Sequence, residues 1–246
     1  MSYDLISFDL DGTLVDTAAE IAEATNLALA AHGIAPRPVA EITDLIGAGT
    51  RALMLKLLAR CFLEQPALAE TVRPEAVLAS FDAHYAATTG TTAVPYAGCA
   101  LALAQLRQAG LRLACTTNKE SRHALRVLAV TGLDGCFDLV IGGDSLPEKK
   151  PHRSVLEHVL RTLRASADRS AHVGDSTIDV EAARNAGVRA WAVPYGYNGG
   201  SPIESANPDR VFASLLNVAR HVIQAQGSCV AGIQDQSATR RTGRPQ

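Results

Sequence analysis

Ile6-Ser-Phe-Asp9-Leu-Asp11-Gly-Thr-Leu-Val-Asp16 decides how the rest of the chain is read. An apolar run, Leu5–Phe8, has the look of a strand and gives way at once to two aspartates one residue apart and a Gly-Thr turn. Carboxylates that close repel one another, so something cationic is expected to hold them together. Mg²⁺ is the obvious candidate, a hard cation that takes carboxylate and carbonyl oxygens and keeps several waters.

Further short β-branched or apolar runs follow at Leu111–Thr116, Leu139–Ile141, Ala171–Val173 and Ala190–Val193, with a helix-length segment between each and the next. Strands that alternate with helices need crossover connections, which predicts an α/β fold, a doubly wound, Rossmann-like parallel sheet with helices on both faces. The first interval breaks the rhythm. About 80 residues carry no strand signal but show helical spacing at Ala18–Ala31, Thr50–Phe62 and Pro74–Tyr85, with Pro36, Pro38, Pro66 and Pro74 as breaks. That is too long for a loop, so a small α-helical domain is expected at 17–93, inserted into an α/β core made of 1–16 and 94–225. Thr17 and Val94 fall near the two hinges. From Gln226 the composition turns to Gly, Ser, Gln and Arg, which predicts a disordered tail over 226–246.

The 246 residues are 47% apolar, enough for a sizeable core, and a formal net charge of −2 gives no reason to expect a nucleic-acid or anionic-membrane partner. No apolar run approaches the roughly 18–20 residues that span a bilayer. The start, Met-Ser-Tyr-Asp, lacks a signal-like pattern, so a cytoplasmic location is expected. Five scattered cysteines without a C-x-x-C pair read as free thiols, the seven histidines show no metal-ligand spacing, and Trp191 reads as core.

Ligands of open parallel sheets bind beyond the carboxyl ends of the strands, so the polar residues after successive strands should converge. Asp9 and Asp11 follow the first. Thr117-Asn118-Lys119 follows the second, before a helix expected around Ser121, where a hydroxyl and free N–H groups suit a phosphate. Alternatively, Thr117 serves as the cap of that helix. Gly142-Gly-Asp144-Ser and then Glu148-Lys149-Lys150-Pro151 follow the third. His172-Val-Gly174-Asp175-Ser-Thr-Ile-Asp179 closes the set, its two acids expected at i and i+4 on one face of a first helical turn. Four acids, a Lys, a Thr and an Asn at one sheet edge make a charge-balanced site for a metal and a phosphate.

This order of motifs resembles the haloacid dehalogenase superfamily over roughly residues 3–225. D-x-D-G-T-L-x-D is present as Asp9–Asp16, the Thr that closes a strand is similar to Thr117 rather than Thr116, the Lys before Pro to Lys150 rather than Lys149, and G-D-S-x-x-D to Gly174–Asp179. Ile46-Gly-Ala-Gly49-Thr, Pro95-Tyr96, Gly142–Pro147, Asp179–Gly187 and Tyr195–Gly200 look like the phosphoglycolate phosphatase branch, while Arg153 and Ala97 stand where that branch usually has proline. The resemblance implies that the helical insertion is a mobile cap, and that Asp9 is the nucleophile and Asp11 the general acid and base. It further implies Mg²⁺ on an Asp9 oxygen, the Asp11 carbonyl and Asp175, phosphoryl contacts from Thr117, Asn118 and Lys150, and support from Asp179. The substrate expected is a small phosphorylated metabolite, first 2-phosphoglycolate, hydrolysed by a monomer or small homo-oligomer. The same chemistry would serve a phosphatase, pyrophosphatase or phosphosugar mutase acting on another metabolite, and a chain of another class would be an inactive phosphoryl-sensing module. In the cap, Gly47 and Gly49 allow a tight loop to approach the ligand and Arg51 could meet a second anionic group. Alternatively the glycines form a turn between helices and Arg51 is a surface residue.

Overall fold

The computed structural model describes residues 2–239, with side chains through residue 227. In chain order the elements begin with β1 (Leu5–Phe8), β2 (Val15–Asp16), α1 (Ala18–Ala31), α2 (Val39–Thr43), α3 (Thr50–Glu64), α4 (Leu68–Thr71), α5 (Pro74–Thr88) and β3 (Val94–Pro95). They continue with α6 (Cys99–Gln108), β4 (Arg112–Thr116), α7 (Ser121–Val130), β5 (Leu139–Ile141), α8 (Arg153–Thr162), β6 (Ser170–Gly174), α9 (Thr177–Asn185), β7 (Arg189–Ala192), β8 (Arg210–Val211) and α10 (Leu215–Thr239).

Six strands form one sheet in the order β5-β4-β1-β6-β7-β8, every neighbouring pair parallel. Both faces are covered, which is why the strands read as continuous apolar runs instead of alternating. Ile6 and Phe8 point into the core beneath α6, α7 and α10, with Leu103, Val127 and Val218. Leu5 points the other way and packs on Val155 and Val159 of α8, while Val180 and Ala183 of α9 pack with Ala190 and Ala192 of β7. The helices α1 to α5 carry a separate core, in which Ile21, Leu29, Leu53, Leu57, Phe81 and Tyr85 are buried together. The fold is α/β with a helical cap.

β1 lies between β4 and β6. The chain therefore winds first to one side of β1 and then to the other, which leaves a crevice at the carboxyl ends of these three strands. Above it, β2 and β3 form an antiparallel ribbon, Val15 opposite Pro95 and Asp16 opposite Val94, and the Tyr96 N–H donates to Leu14 O at 3.0 Å. The chain thus leaves for the cap and returns from it side by side. Two-residue strands such as β2, β3 and β8 are too short to show any periodicity, and none was expected.

α10 is described through Gln226 to Thr239, and residues 240–246 of the expected tail lie outside the described residues. Gln224, Ala225 and Gln226 just before Gly227 are good helix formers. Among the described residues Cys61, Cys99, Cys115 and Cys136 are free, Trp191 is buried against Tyr3 and Phe212, and no helix is long and apolar enough to cross a membrane.

Candidate active site

Lys150, 4% exposed, is the hub of the crevice: its Nζ donates to Asp9 Oδ1 and to Asp179 Oδ1, each at 2.7 Å. Burial alone would lower its pKa, but Asp179 and Asp9 outweigh that and keep it an ammonium. The arrangement continues down into the sheet. His172 places Nε2 3.2 Å from Asp179 Oδ1 and Nδ1 3.1 Å from Ser7 Oγ, and Ser7 Oγ lies 2.8 Å from Thr116 Oγ1. Burial holds the His172 pKa down. A neutral ring facing a carboxylate through Nε2 carries its proton there and accepts from Ser7 at Nδ1. His172 was expected to be structural; it sets the orientation of Asp179 and is not part of the cluster of candidate metal ligands.

Asp175 and Asp179 do not share a helical face. The Ser176 hydroxyl donates to Asp179 Oδ2 at 2.6 Å and the Ser176 N–H to the same oxygen at 3.1 Å, so Ser176 is the N-cap and α9 starts at Thr177. The capping box leaves Asp175 in the turn before the helix. There Oδ1 accepts from Thr13 Oγ1 at 2.6 Å and Oδ2 from the Tyr197 N–H at 2.5 Å. Gly174 is required by this packing. A Cβ there would lie 2.1 Å from Asp179 Cγ. Gly174→Ala is expected to displace Asp179 and with it Lys150, lowering turnover about 10- to 100-fold, the usual cost of losing such support. Steady-state kinetics check this, and unchanged turnover would show that Asp179 does not hold Lys150 in place.

Asp9, Asp175 and Asp179 bring carboxylate oxygens within 4.8 Å of one another, all three buried. Burial pushes Asp9 up to about 7 despite Lys150, and pushes Asp175 well above the ordinary carboxylate range. Burial acts on Asp179 too, but Lys150 and His172 outweigh it and hold that carboxyl below the usual range. Asp179 is ionised and fully occupied by its neighbours. Asp9 has to share the Lys150 ammonium with Asp179, the partners of Asp175 are neutral, and an oxygen-seeking divalent cation fits that shortfall of positive charge. The Asp11 carboxylate stands apart from this cluster: Lys119 Nζ donates to its Oδ1 at 2.9 Å and Thr17 Oγ1 to the same oxygen at 2.6 Å. The Asp11 carboxylate is thus engaged by Lys119 and Thr17 and not by this cluster.

Lys119 is the residue that sequence reasoning passed over. It is 2% exposed, its ammonium lies 5.1 Å from the centre of the Tyr85 ring of α5, and Asp11 outweighs burial to keep it charged. Its amine had been noted after the second strand, but only Lys150 carried a motif. Asn118 departs from its expected role. Its Nδ2 donates to Gly47 O at 3.0 Å and Lys150 O at 2.9 Å, and its Oδ1 accepts the Lys150 N–H at 3.0 Å. The carboxamide thus ties the cap loop to the Lys150 backbone. Thr117 Oγ1 accepts the Lys119 N–H at 3.2 Å and faces the same cleft. α7 does begin at Ser121, but Asp144 Oδ1 accepts both the Ser121 N–H at 2.7 Å and its hydroxyl at 2.5 Å. That helix start is already capped by a carboxylate and does not cradle an anion.

Asp9, Asp11, Thr117, Asn118 and Lys119 on the core side and Ile21, Ile46, Gly47, Gly49, Thr50 and Leu53 on the cap side line one small cleft. Gly49, with φ 89°, begins α3 so close to the core that a Cβ would sit 3.0 Å from Asn118 O. Arg51 is exposed and outside this lining, two residues past Gly49 in the first turn of α3.

Residues 6–193 match the family described as haloacid dehalogenase-like hydrolase. A phosphoglycolate phosphatase of Psychrobacter arcticus is 34% identical over 92% of this chain and 98% of its own length, and one of Vibrio cholerae 38% identical over 88% and 97%. Among solved structures, one from Haemophilus somnus described as a predicted phosphoglycolate phosphatase superposes with a TM-score of 0.84 at 28% identity, covering 89% of this chain and 98% of that one. With the family's motif residues meeting in one crevice under a helical cap, the chain belongs to the haloacid dehalogenase-like hydrolases.

Proposed function

We propose that this chain is a Mg²⁺-dependent phosphatase that hydrolyses 2-phosphoglycolate to glycolate and phosphate. The observation that carries the reading is Asp9 itself. It is a buried carboxylate with one oxygen held by Lys150, it lines a small cleft together with a proton carrier (Asp11), and it lies within 4.8 Å of a candidate metal ligand (Asp175). An Asp9 oxygen attacks phosphorus, the bond to the ester oxygen breaks, and Asp11 gives its proton to the departing alkoxide. Water then attacks the aspartyl-phosphate, Asp11 takes a proton from it, and the bond between phosphorus and Asp9 breaks to release phosphate. The Lys150 ammonium and the Thr117 hydroxyl stabilise the phosphoryl oxygens, and Asp179 holds Lys150 in position. Asp9, Asp175 and the Asp11 carbonyl would hold Mg²⁺, which would supply the positive charge that offsets the repulsion between the carboxylate nucleophile and an anionic phosphoryl group. The helices within 17–93 close over the substrate on the β2–β3 ribbon and exclude water while the leaving group departs. Free cysteines suit a reducing cytoplasm.

A panel of phosphorylated metabolites with Mg²⁺, and with EDTA as control, tests the assignment. The expected result is the highest kcat/KM for 2-phosphoglycolate and loss of activity in EDTA; equal rates across the panel would reject the named substrate. Metal binding also leaves a thermodynamic mark. A carboxyl raised from 3.8 to about 7 in the folded protein binds its proton more tightly there than in the unfolded chain, so it costs stability as pH climbs through that window. In EDTA the melting temperature should fall on this account between pH 4 and 7, and the gain on adding Mg²⁺ should be larger at pH 8 than at pH 5. Equal gains at both pH values would mean that these carboxylates do not hold the ion.

A further inference from the structure

We propose that Lys119 selects the substrate, its ammonium receiving the carboxylate of the leaving group. The inference rests on the reading of the chain as a 2-phosphoglycolate hydrolase and names the contact that gives it that preference. A carboxylate carried into a closed cleft costs a great deal unless a cation meets it there. Lys119 is the cation in the lining of this cleft, whose cap side is formed by Ile21, Ile46 and Leu53 with Gly47, Gly49 and Thr50. Lys150 is already shared between Asp9 and Asp179, and Arg51 is exposed.

The spacing fits a two-carbon leaving group. Asp11 must reach the ester oxygen to protonate it, and Lys119 Nζ sits 2.9 Å from Asp11 Oδ1. In glycolate the carboxylate is attached to the carbon that bears the ester oxygen, which brings it beside the group that touches Asp11; a longer leaving group carries its anion past that point. The ammonium also has capacity to spare. Of its three N–H donors one is spent on Asp11, and even a second turned toward Tyr85 leaves one for a ligand.

The test compares kcat/KM for 2-phosphoglycolate and for ethyl phosphate, which lacks the carboxylate, in the wild type, Lys119→Met, Lys119→Arg and Lys149→Met. Lys149 is the control, an exposed lysine whose Nζ lies near Gly49. Lys119→Met should reduce the preference for 2-phosphoglycolate by about 100-fold, the scale for removing one partner of a buried charge pair. Lys119→Arg should keep most of the preference and Lys149→Met all of it. Equal losses on both esters would mean that Lys119 only orients Asp11, and would overturn the proposal. A second measurement avoids truncating Lys119. Asp9→Asn and Asp9→Asn/Asp11→Asn are expected not to turn over, so binding can be followed by calorimetry with Mg²⁺. Freeing Lys119 from Asp11 should tighten 2-phosphoglycolate about 10-fold and leave ethyl phosphate unchanged, the size expected for a charged hydrogen bond; no change for either ester would also overturn it. A wild type without preference for 2-phosphoglycolate rejects the function named above, whereas a preference retained by Lys119→Met rejects Lys119 alone.

Discussion

Asp9→Asn is expected to remove turnover, by roughly 10⁴- to 10⁶-fold, the range seen when an enzyme loses its nucleophile. The carboxamide fills the same space but supplies no anionic oxygen to attack phosphorus, so the loss should fall on kcat with substrate binding largely kept. The fold should survive, and in the absence of Mg²⁺ it should gain. Burial makes ionised Asp9 costly, as its rise to about 7 shows, and the amide has no charge to desolvate. A melting temperature in EDTA at pH 8 equal to or above that of the wild type, together with failure to trap a phosphorylated protein, is the combined result to look for. Residual turnover above one part in a hundred would remove Asp9 from the role of nucleophile.

Lys150→Met should damage both stability and chemistry. Its side chain is 2% exposed and those of its partners 12% and 3%, so truncation strands two carboxylates in the interior. Breaking a buried pair in this way costs about 3–5 kcal/mol. Denaturant melts should show that loss, and it should shrink toward low pH as Asp9 takes up a proton. Turnover should drop by about 100- to 1000-fold, because a donor aimed at charge that develops in the transition state is removed. A change confined to KM would assign Lys150 to ground-state binding instead.

The residues that carry the site were legible where chemistry demanded a residue type at the end of a strand. Asp9, Asp11, Thr117, Lys150, Asp175 and Asp179 all meet at the crevice, since the strand order places those strand ends side by side. What escaped notice depended on side-chain direction. Asn118 carries an amide suited to phosphate, but the approach of the Gly47 loop claims it for the backbone. Arg51 stands two residues beyond Gly49, and that half turn of helix carries it out of the cleft. Lys119 and Lys149 are both lysines near a motif, yet one is buried on Asp11 and the other exposed, a difference fixed by packing against α5 that no local spacing encodes. The i, i+4 reading of Asp175 and Asp179 failed because a side chain capping its own helix start delays that start by two residues.

The line of groups from Thr116 through Ser7 and His172 to Asp179 draws on three different strands and the start of α9, and it exists only because those strands are paired as they are. Ser7 sits level with His172 in the ladder, and sliding either strand by one residue would turn its member of the line toward the opposite face. The ion pairs of Lys150 with Asp9 and Asp179 rest on the end of this line. Turnover therefore acts as a proofreading signal for the sheet: a molecule that has mispaired its central strands can be compact and helical, but it will be silent.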